Sequence, residues 1–208
     1  MKLTDIKNTT YFAKGHRGIL YMGEYKKEKV VIKTKRAESK AIDRMENEAN
    51  FLKILNEKSI GPNFIYYDKK NDFLVMEYID GEFFPIFVEH SSKDNKNLIK
   101  KIVRQIFIQC FRMDKLKINK EEMHHPYKHI IIEKKSKKPV LIDFERAHRS
   151  KEPVNATQFS SYLISGFITE LFAKKGIKID RVKMIGAAKK YKKDVCKKNI
   201  DKMIGLIK

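Results

Sequence analysis

Two acidic residues at the end of an apolar run are the side chains of this chain best suited to chemistry. Asp143 and Glu145 flank Phe144, directly after the apolar residues 139–142. A carboxylate at the end of a strand has a fixed position, and its hard oxygen atoms suit Mg²⁺. The pattern predicts Asp143 as a metal ligand and Glu145 as an acid that supports it or binds a second metal ion, although a strand ending in Asp is common.

A lysine and a glutamate far upstream could act as a pair. Lys33 closes the apolar strand pattern of residues 30–32, and Glu48 follows fifteen positions later. Alone, Lys33 could simply extend its apolar stem toward solvent. Helical periodicity places Glu48 near the apolar face of a helix predicted over residues 38–56, where it could reach Lys33 and direct the ammonium toward a phosphate. Glu46 is the alternative partner, and Glu48 is preferred.

A glycine-containing segment near the N-terminus could contact phosphate. Residues 14–18 contain Gly15 and Gly18 between two strand patterns. Glycines allow a backbone to approach phosphate closely, and the neighbouring basic side chains add positive charge. A plain glycine hairpin is the alternative interpretation.

A second segment could hold the base of a nucleotide. Residues 74–81 form a strand pattern that runs into a polar break. The backbone groups of Glu77 and Ile79 could bond an adenine there, and Met76 could line the wall behind it. An ordinary strand followed by a turn is the alternative.

Residues 123–129 contain three histidines. A histidine can accept a proton near neutral pH and can also bind a metal, which makes the segment a candidate for either role. Lys128 could add charge at a phosphate. A solvated polar loop is one alternative, and a zinc site is another, although no cysteine pair completes it. Two acids of the same region, Glu121 and Glu122, could take these roles instead if a different part of the loop lies at the site.

The hydrophobic patterns divide the chain in two. Alternation over residues 11–34 predicts strands, and the helix over residues 38–56 follows them. Two short strands are predicted over residues 64–67 and 73–78, and the flexible break at residues 80–82 marks the boundary. Beyond it, an amphipathic helix is predicted from apolar residues that recur at helical spacing between Leu98 and Met113, and apolar runs at 130–132 and 140–142 form a hairpin. Further helices are predicted over 157–174, 180–193 and 201–207. The sequence thus predicts an α+β fold with lobes 1–79 and 80–208, the second mostly helical.

Composition limits the partners and the compartment. The chain has 46 Lys and Arg against 26 Asp and Glu, a formal net charge of +20. Such a field attracts RNA or a ribonucleoprotein, but the scattered lysines fit a lysine-rich proteome equally well. The chain contains no apolar run of about 18 residues, so we expect no membrane span. Residues 1–5 lack the apolar stretch of a signal peptide. With only Cys110 and Cys196, we expect a reducing cytoplasm and no disulfide.

Taken in order, these segments resemble the protein-kinase superfamily. Its signature is a Gly-rich loop, Val-Ala-Ile-Lys, a helix Glu, a catalytic loop and Asp-Phe-Gly. The resemblance covers about residues 11–148 and is nearest to the atypical RIO-type kinases and the predicted archaeal serine/threonine kinases akin to them. It implies a two-lobed kinase-like fold that binds ATP with Mg²⁺ or Mn²⁺, with Lys33 on the phosphates, Glu48 orienting Lys33, and Asp143 on the metal.

The catalytic loop departs from the kinase pattern. Aligning the strand at residues 130–132 puts His124 at the position of the kinase Asp and His129 at the position of the metal-binding Asn. The resemblance then implies that His124 accepts a proton or orients the nucleophile and that His129 is a metal ligand. Few residues separate Asp143 from the next predicted helix, and they contain no Ala-Pro-Glu. A long segment for docking protein peptides is therefore not expected.

The function that we expect is ATP-dependent phosphotransfer, as in an atypical serine/threonine protein kinase with an unidentified acceptor. Three alternatives stay open. The missing catalytic-loop Asp favours a pseudokinase that binds ATP as a scaffold. The Asp-Phe-Glu motif also occurs in small-molecule kinases of the choline- and aminoglycoside-kinase type. The net charge favours a basic RNA-binding module.

Overall fold

The computed structural model describes residues 3–14, 18–35 and 44–208. Backbone contacts divide the chain into two compact units. The first unit is Met1–Ile79 together with Ile142–Ala147, and the second unit is Asp80–Leu141 together with His148–Lys208. The predicted second lobe comprised all residues after 79, whereas the short segment Ile142–Ala147 belongs to the first unit.

The first unit contains a five-stranded antiparallel sheet with the strand order β1-β2-β3-β5-β4. Its strands are β1 (Lys7–Lys14), β2 (Gly18–Tyr25), β3 (Glu28–Lys35), β4 (Phe64–Asp68) and β5 (Phe73–Glu77). The turn between β2 and β3 consists of Lys26 and Lys27, both at positive φ. Two-residue turns of this kind match the right-handed twist of the strands that they join.

The alternation of side chains along β3 decides which residue faces which side of the sheet. Val30 and Ile32 are buried in an apolar cluster with Phe73 and Val75 of β5. Because successive side chains of a strand point to opposite faces, Lys33 lies on the face away from that cluster. Lys33 is thereby directed to the face on which the α-helix of this unit's described residues packs.

That helix is α1 (Arg44–Asn56). Its buried positions recur at the spacing of one helical face, and Glu48 lies within this otherwise apolar stripe. Residues 38–43 of the predicted helix lie outside the described residues. Asn56 ends the helix, donates from its amide to the carbonyls of Ile60 and Pro62, and accepts a hydrogen bond from the amide of Phe64.

The second unit is mostly helical. Its helices are α2 (Phe84–His90), α3 (Lys96–Lys115), α4 (Asn155–Leu163), α5 (Gly166–Lys174), α6 (Arg181–Lys193) and α7 (Lys197–Ile204). Its strands are β6 (Gly81–Phe83), β7 (Ile118–Asn119), β8 (Ile130–Glu133), β9 (Pro139–Leu141) and β10 (His148–Arg149). The strands form a three-stranded sheet in the order β6-β8-β9 and a two-stranded pairing of β7 with β10. The predicted α+β class and the antiparallel N-terminal sheet are confirmed. None of the helices in the described ranges is long and apolar enough to cross a membrane.

Three predictions about local structure are wrong. The flexible break at residues 80–82 is largely strand β6, in which Gly81 lies against the carbonyl of Ile132 so closely that a Cβ atom would collide with it. The helix predicted over residues 157–174 is two helices separated at Ile164 and Ser165. The last predicted helix, 201–207, begins four residues earlier and ends three residues earlier, as α7.

Candidate functional site

Lys33 is the point at which three carboxylates of the first unit meet. Its Nζ lies 2.7 Å from Oε2 of Glu48 and 3.2 Å from Oδ1 of Asp143. The same Nζ lies 3.2 Å from Oε2 of Glu145. Strand β3, helix α1 and the segment Ile142–Ala147 therefore each contribute to one cluster of charged groups.

The ammonium of Lys33 is held in its charged form. Its side chain is only 13% exposed. Burial alone would lower the pKa of Lys33. The three carboxylates, Glu48 most strongly and then Asp143 and Glu145, together outweigh burial and raise this pKa well above its ordinary value. A buried cation that stays protonated at any physiological pH is suited to contact phosphate oxygens.

Glu48 is tied to both of its neighbours in the cluster. Its carboxylate, 2% exposed, accepts from Lys33 through Oε2 and from the backbone N–H of Phe144 through Oε1, the latter at 3.0 Å. Burial raises the pKa of Glu48, while the ammonium of Lys33 and the amide of Phe144 counteract part of that rise. Glu46, the alternative partner, pairs with Lys69 at 2.9 Å instead.

The first turns of α1 hold the segment Ile142–Ala147 in place. The side-chain amide of Asn47 donates to the carbonyls of Glu145 at 3.1 Å and Ala147 at 2.8 Å. Arg44 Nη1 lies 3.4 Å from Oε1 of Glu145. Arg44 and Asn47 are not among the site residues predicted from the sequence. With Glu48 they lie at positions i, i+3 and i+4 of one helix face, and that spacing was the available signal.

Asp143 is the carboxylate of this cluster that reaches solvent. Its side chain is 37% exposed, against 12% for Glu145. Its backbone has a φ of 63°, a left-handed conformation that is uncommon outside glycine although Asp tolerates it better than most residues. The next residue, Phe144, is fully buried and anchors the segment. Uncommon backbone conformations that the surrounding structure enforces are concentrated at functional sites.

The carboxylates of the cluster are ligands of the type that Mg²⁺ prefers. Among the described residues, the cationic side chains of Lys33 and Arg44 lie within ion-pair distance of these carboxylates. Within residues 3–14, 18–35 and 44–208, no group of three or more His, Cys, Asp or Glu side chains is arranged to hold a metal ion. Mg²⁺ usually takes only one or two carboxylates from the protein, with phosphate and water oxygens completing its shell. Asp143 and Glu145 fit such a partial set of ligands.

The residues predicted to contact a nucleotide through a glycine backbone or at the base lie on or directly after strands β2 and β5, as far as the structure describes them. Gly15 lies outside the described residues, and Gly18 begins β2 beside the carbonyl of Thr34. Met76 is buried in β5. The backbone N–H of Glu77 donates to the carbonyl of Asn63 at 2.9 Å and is therefore already bonded.

Ile79 differs from Glu77 in its backbone bonding. No hydrogen bond from elsewhere in the described ranges reaches the N–H or carbonyl of Ile79. Backbone polar groups are strong hydrogen-bonding groups that are seldom left without partners. The donor and the acceptor of the half-buried Ile79 backbone are therefore not used within the described part of the fold.

The histidine segment belongs to the second unit. His129 Nε2 lies 3.2 Å from Oε2 of Glu122, and His148 Nδ1 lies 3.4 Å from Oε1 of Glu121. The two glutamates are consecutive and both have positive φ. His124 is exposed, with its ring edge-on to that of His125. A carboxylate thus partners the predicted metal ligand His129, an arrangement known to orient ligating histidines.

No protein-family model matches the sequence, and no curated protein matches it either. The resemblance to kinases therefore stays a prediction that rests on the motifs and on the cluster around Lys33.

The Lys33–Glu48 pair is expected to be strongly coupled. In a double-mutant cycle of Lys33→Met and Glu48→Gln, we expect a coupling free energy of about 1–3 kcal/mol, because each single change leaves a buried polar partner unsatisfied. The measurement is the free energy of unfolding from urea titrations followed by circular dichroism.

The pair Lys69–Glu46 on the same unit is the matched control. Its side chains are 78% and 30% exposed, so its coupling should lie between about 0 and 1 kcal/mol. A coupling for Lys33–Glu48 no larger than that of the control would show that the buried pair does not hold the site together.

Proposed function

We propose that the protein is an ATP-dependent phosphotransferase that moves the γ-phosphate of ATP to an acceptor, in the manner of an atypical serine/threonine protein kinase of the cytoplasm. The observation that carries the proposal is the buried ammonium of Lys33, fixed by Glu48 and flanked by Asp143 and Glu145. Phosphoryl transfer requires mainly positioning and electrostatic stabilisation, and these four side chains are of the types that supply both.

Lys33 is the group that would bind the phosphates. Glu48 accepts one of its N–H bonds at 2.7 Å and sets the direction of the ammonium. The contacts to Asp143 and Glu145 are longer, at 3.2 Å each, so phosphate oxygens can replace them more readily than they can replace Glu48. A shorter charge-assisted bond is the stronger one.

Asp143 and Glu145 are the residues that would hold Mg²⁺ or Mn²⁺. When bound, the metal supplies positive charge that neutralises the phosphate oxygens during transfer. Arg44 and Asn47 fix Glu145 and its backbone, which leaves the more exposed Asp143 to face the ligand. Met76 and Ile79 are the candidates for contacts with the base, through a buried side chain and an unbonded backbone.

His124 is the proposed proton acceptor for the nucleophile. We expect His124→Ala to lower the turnover number by about 10²–10⁴-fold, the usual contribution of a general base, with little change in ATP affinity. The measurement is steady-state phosphotransfer combined with calorimetric titration of ATP. His125→Ala, a change at the neighbouring exposed histidine, is the control. Equal activity of wild type and His124→Ala would remove His124 from the mechanism.

A pseudokinase is the second candidate, because histidines occupy both positions at which kinases have Asp and Asn. It would bind ATP through Lys33 without transferring phosphate. ATP labelled at the γ-phosphate separates the two, with Mg²⁺ or Mn²⁺ present and a cell extract as the source of acceptors. If the wild type transfers label to itself or to an acceptor and the Lys33→Ala variant does not, the phosphotransferase is supported. ATP binding without label in any fraction supports the pseudokinase.

A further inference from the structure

The second unit contains a cavity of about 770 Å³ that is independent of the cluster around Lys33. The C-terminal ends of α3 and α6 and the loop that follows β10 form its walls. Six lysines line it, all of them exposed: Lys115, Lys117, Lys151, Lys189, Lys192 and Lys193. Cavities of this size accommodate small ligands.

The cavity has an excess of positive charge. Against the six lysines stand three acids, Asp114, Glu152 and Asp194, which leaves a formal excess of three positive charges. Asp114 accepts hydrogen bonds from Asn155, Ala156 and Tyr191, and Asp194 accepts from Cys196 and Asn199. Two of the three acids are therefore engaged by groups other than the lysines.

None of the six lysines forms an ion pair within the part of the chain that the structure describes. Lysines near helix C-termini are expected without any ligand, because they complement the helix dipole, and this accounts for Lys115, Lys192 and Lys193. It does not account for Lys117 and Lys151, which lie in loops.

The two loop lysines are brought to the cavity by specific contacts. Lys117 Nζ donates to the carbonyl of Lys151 at 3.1 Å, and the amide of Ser150 donates to the carbonyl of Lys117 at 2.9 Å. Lys117 has a φ of 58°, the left-handed conformation in which helices commonly end, and it follows the last turn of α3. Two residues of like charge are thus joined at one cavity.

The side chains that line the cavity limit the class of ligand that it can bind. Among the described residues that line the cavity there is no aromatic ring on which a base could stack and no arginine fork for bidentate recognition. Lysines act on phosphate as point charges without planar selectivity. We propose that this cavity binds a compact polyphosphate, either a linear phosphate chain or a small metabolite bearing several phosphates.

The proposal is tested by calorimetric titration of the full chain with two probes. Inorganic tripolyphosphate represents a linear phosphate chain, and inositol hexakisphosphate represents a small metabolite bearing several phosphates. The variant combines Lys189→Gln, Lys192→Gln and Lys193→Gln. The control removes the same charge from exposed lysines of the β8–β9 hairpin: Lys134→Gln, Lys135→Gln and Lys138→Gln. We expect the cavity variant to weaken binding of at least one probe by about tenfold or more, and the control by less than about threefold.

Three results would overturn the proposal. Equal weakening in both triple variants would mean that only the diffuse charge of the chain attracts the probes. Loss of binding in Lys33→Ala, with full binding in the cavity variant, would assign the probes to the proposed nucleotide site instead. A twelve-nucleotide single-stranded RNA that binds through the same three lysines more tightly than either probe would make the cavity part of an RNA-binding surface.

Discussion

Asp143→Ala is expected to abolish the Mg²⁺-dependent part of ATP binding and to lower phosphotransfer by at least about 10²–10³-fold, the usual cost of removing one preorganised electrostatic contact. Asp143 is the most exposed carboxylate around Lys33, and it contacts the ammonium at 3.2 Å rather than at the 2.7 Å of Glu48. Its loss should therefore affect a bound ligand more than the fold. The measurement is ATP affinity by calorimetry, in Mg²⁺ and in a chelator.

The control for Asp143→Ala is Glu46→Ala, which removes an acid of the same unit whose partner is Lys69. Both variants should keep the far-ultraviolet circular dichroism of the wild type. Glu46→Ala should also keep the ratio of affinities with and without Mg²⁺. If Asp143→Ala keeps that ratio too, Asp143 is not the metal ligand and the assignment of the site is wrong.

Asp114→Ala is expected to have the largest effect on stability, a loss of about 3–5 kcal/mol in the free energy of unfolding. The carboxylate of Asp114 accepts from the backbone N–H of Asn155 at 3.1 Å and from its side-chain amide at 2.7 Å. It also accepts from the backbone N–H of Ala156 at 3.2 Å and from the hydroxyl of Tyr191 at 2.8 Å. Removing the carboxylate leaves four donors without their acceptor in the interior of the second unit.

Burial raises the pKa of Asp114, and the hydrogen bonds from Tyr191 and Asn155 counteract part of that rise. The cost of Asp114→Ala is measured by urea titration at neutral pH. Asp201→Ala is the matched control, since this acid forms an exposed pair with Lys197, and its removal should cost less than about 1 kcal/mol. A loss for Asp114→Ala that is as small as that of the control would show that this network does not stabilise the second unit.

Local periodicity was sufficient to place the central groups of the candidate site. Two-residue alternation along β3 directs Lys33 away from the apolar cluster, and helical spacing along α1 directs Glu48 toward the sheet. Both patterns operate within one element, so the sequence displays them without knowledge of the tertiary structure.

Contacts between distant parts of the chain could not be predicted from the sequence in this way. The hydrogen bonds of Asn47 join residues 98 and 100 positions apart, and the bond from Tyr191 to Asp114 spans 77 positions. Strand β6 forms because Gly81 pairs with Glu133, and no local sequence pattern predicts this pairing. Helix α2 has seven residues, too few for helical periodicity to separate it from a loop.

The measurement that tests the central claim most directly is a crystal structure of the full chain with Mg²⁺ and a non-hydrolysable ATP analogue. The account predicts phosphate oxygens on Lys33 Nζ, the metal on a carboxylate oxygen of Asp143, and Glu48 still bonded to Lys33. A nucleotide bound elsewhere on the chain, or a cluster around Lys33 with no phosphate in contact with it, would contradict the account.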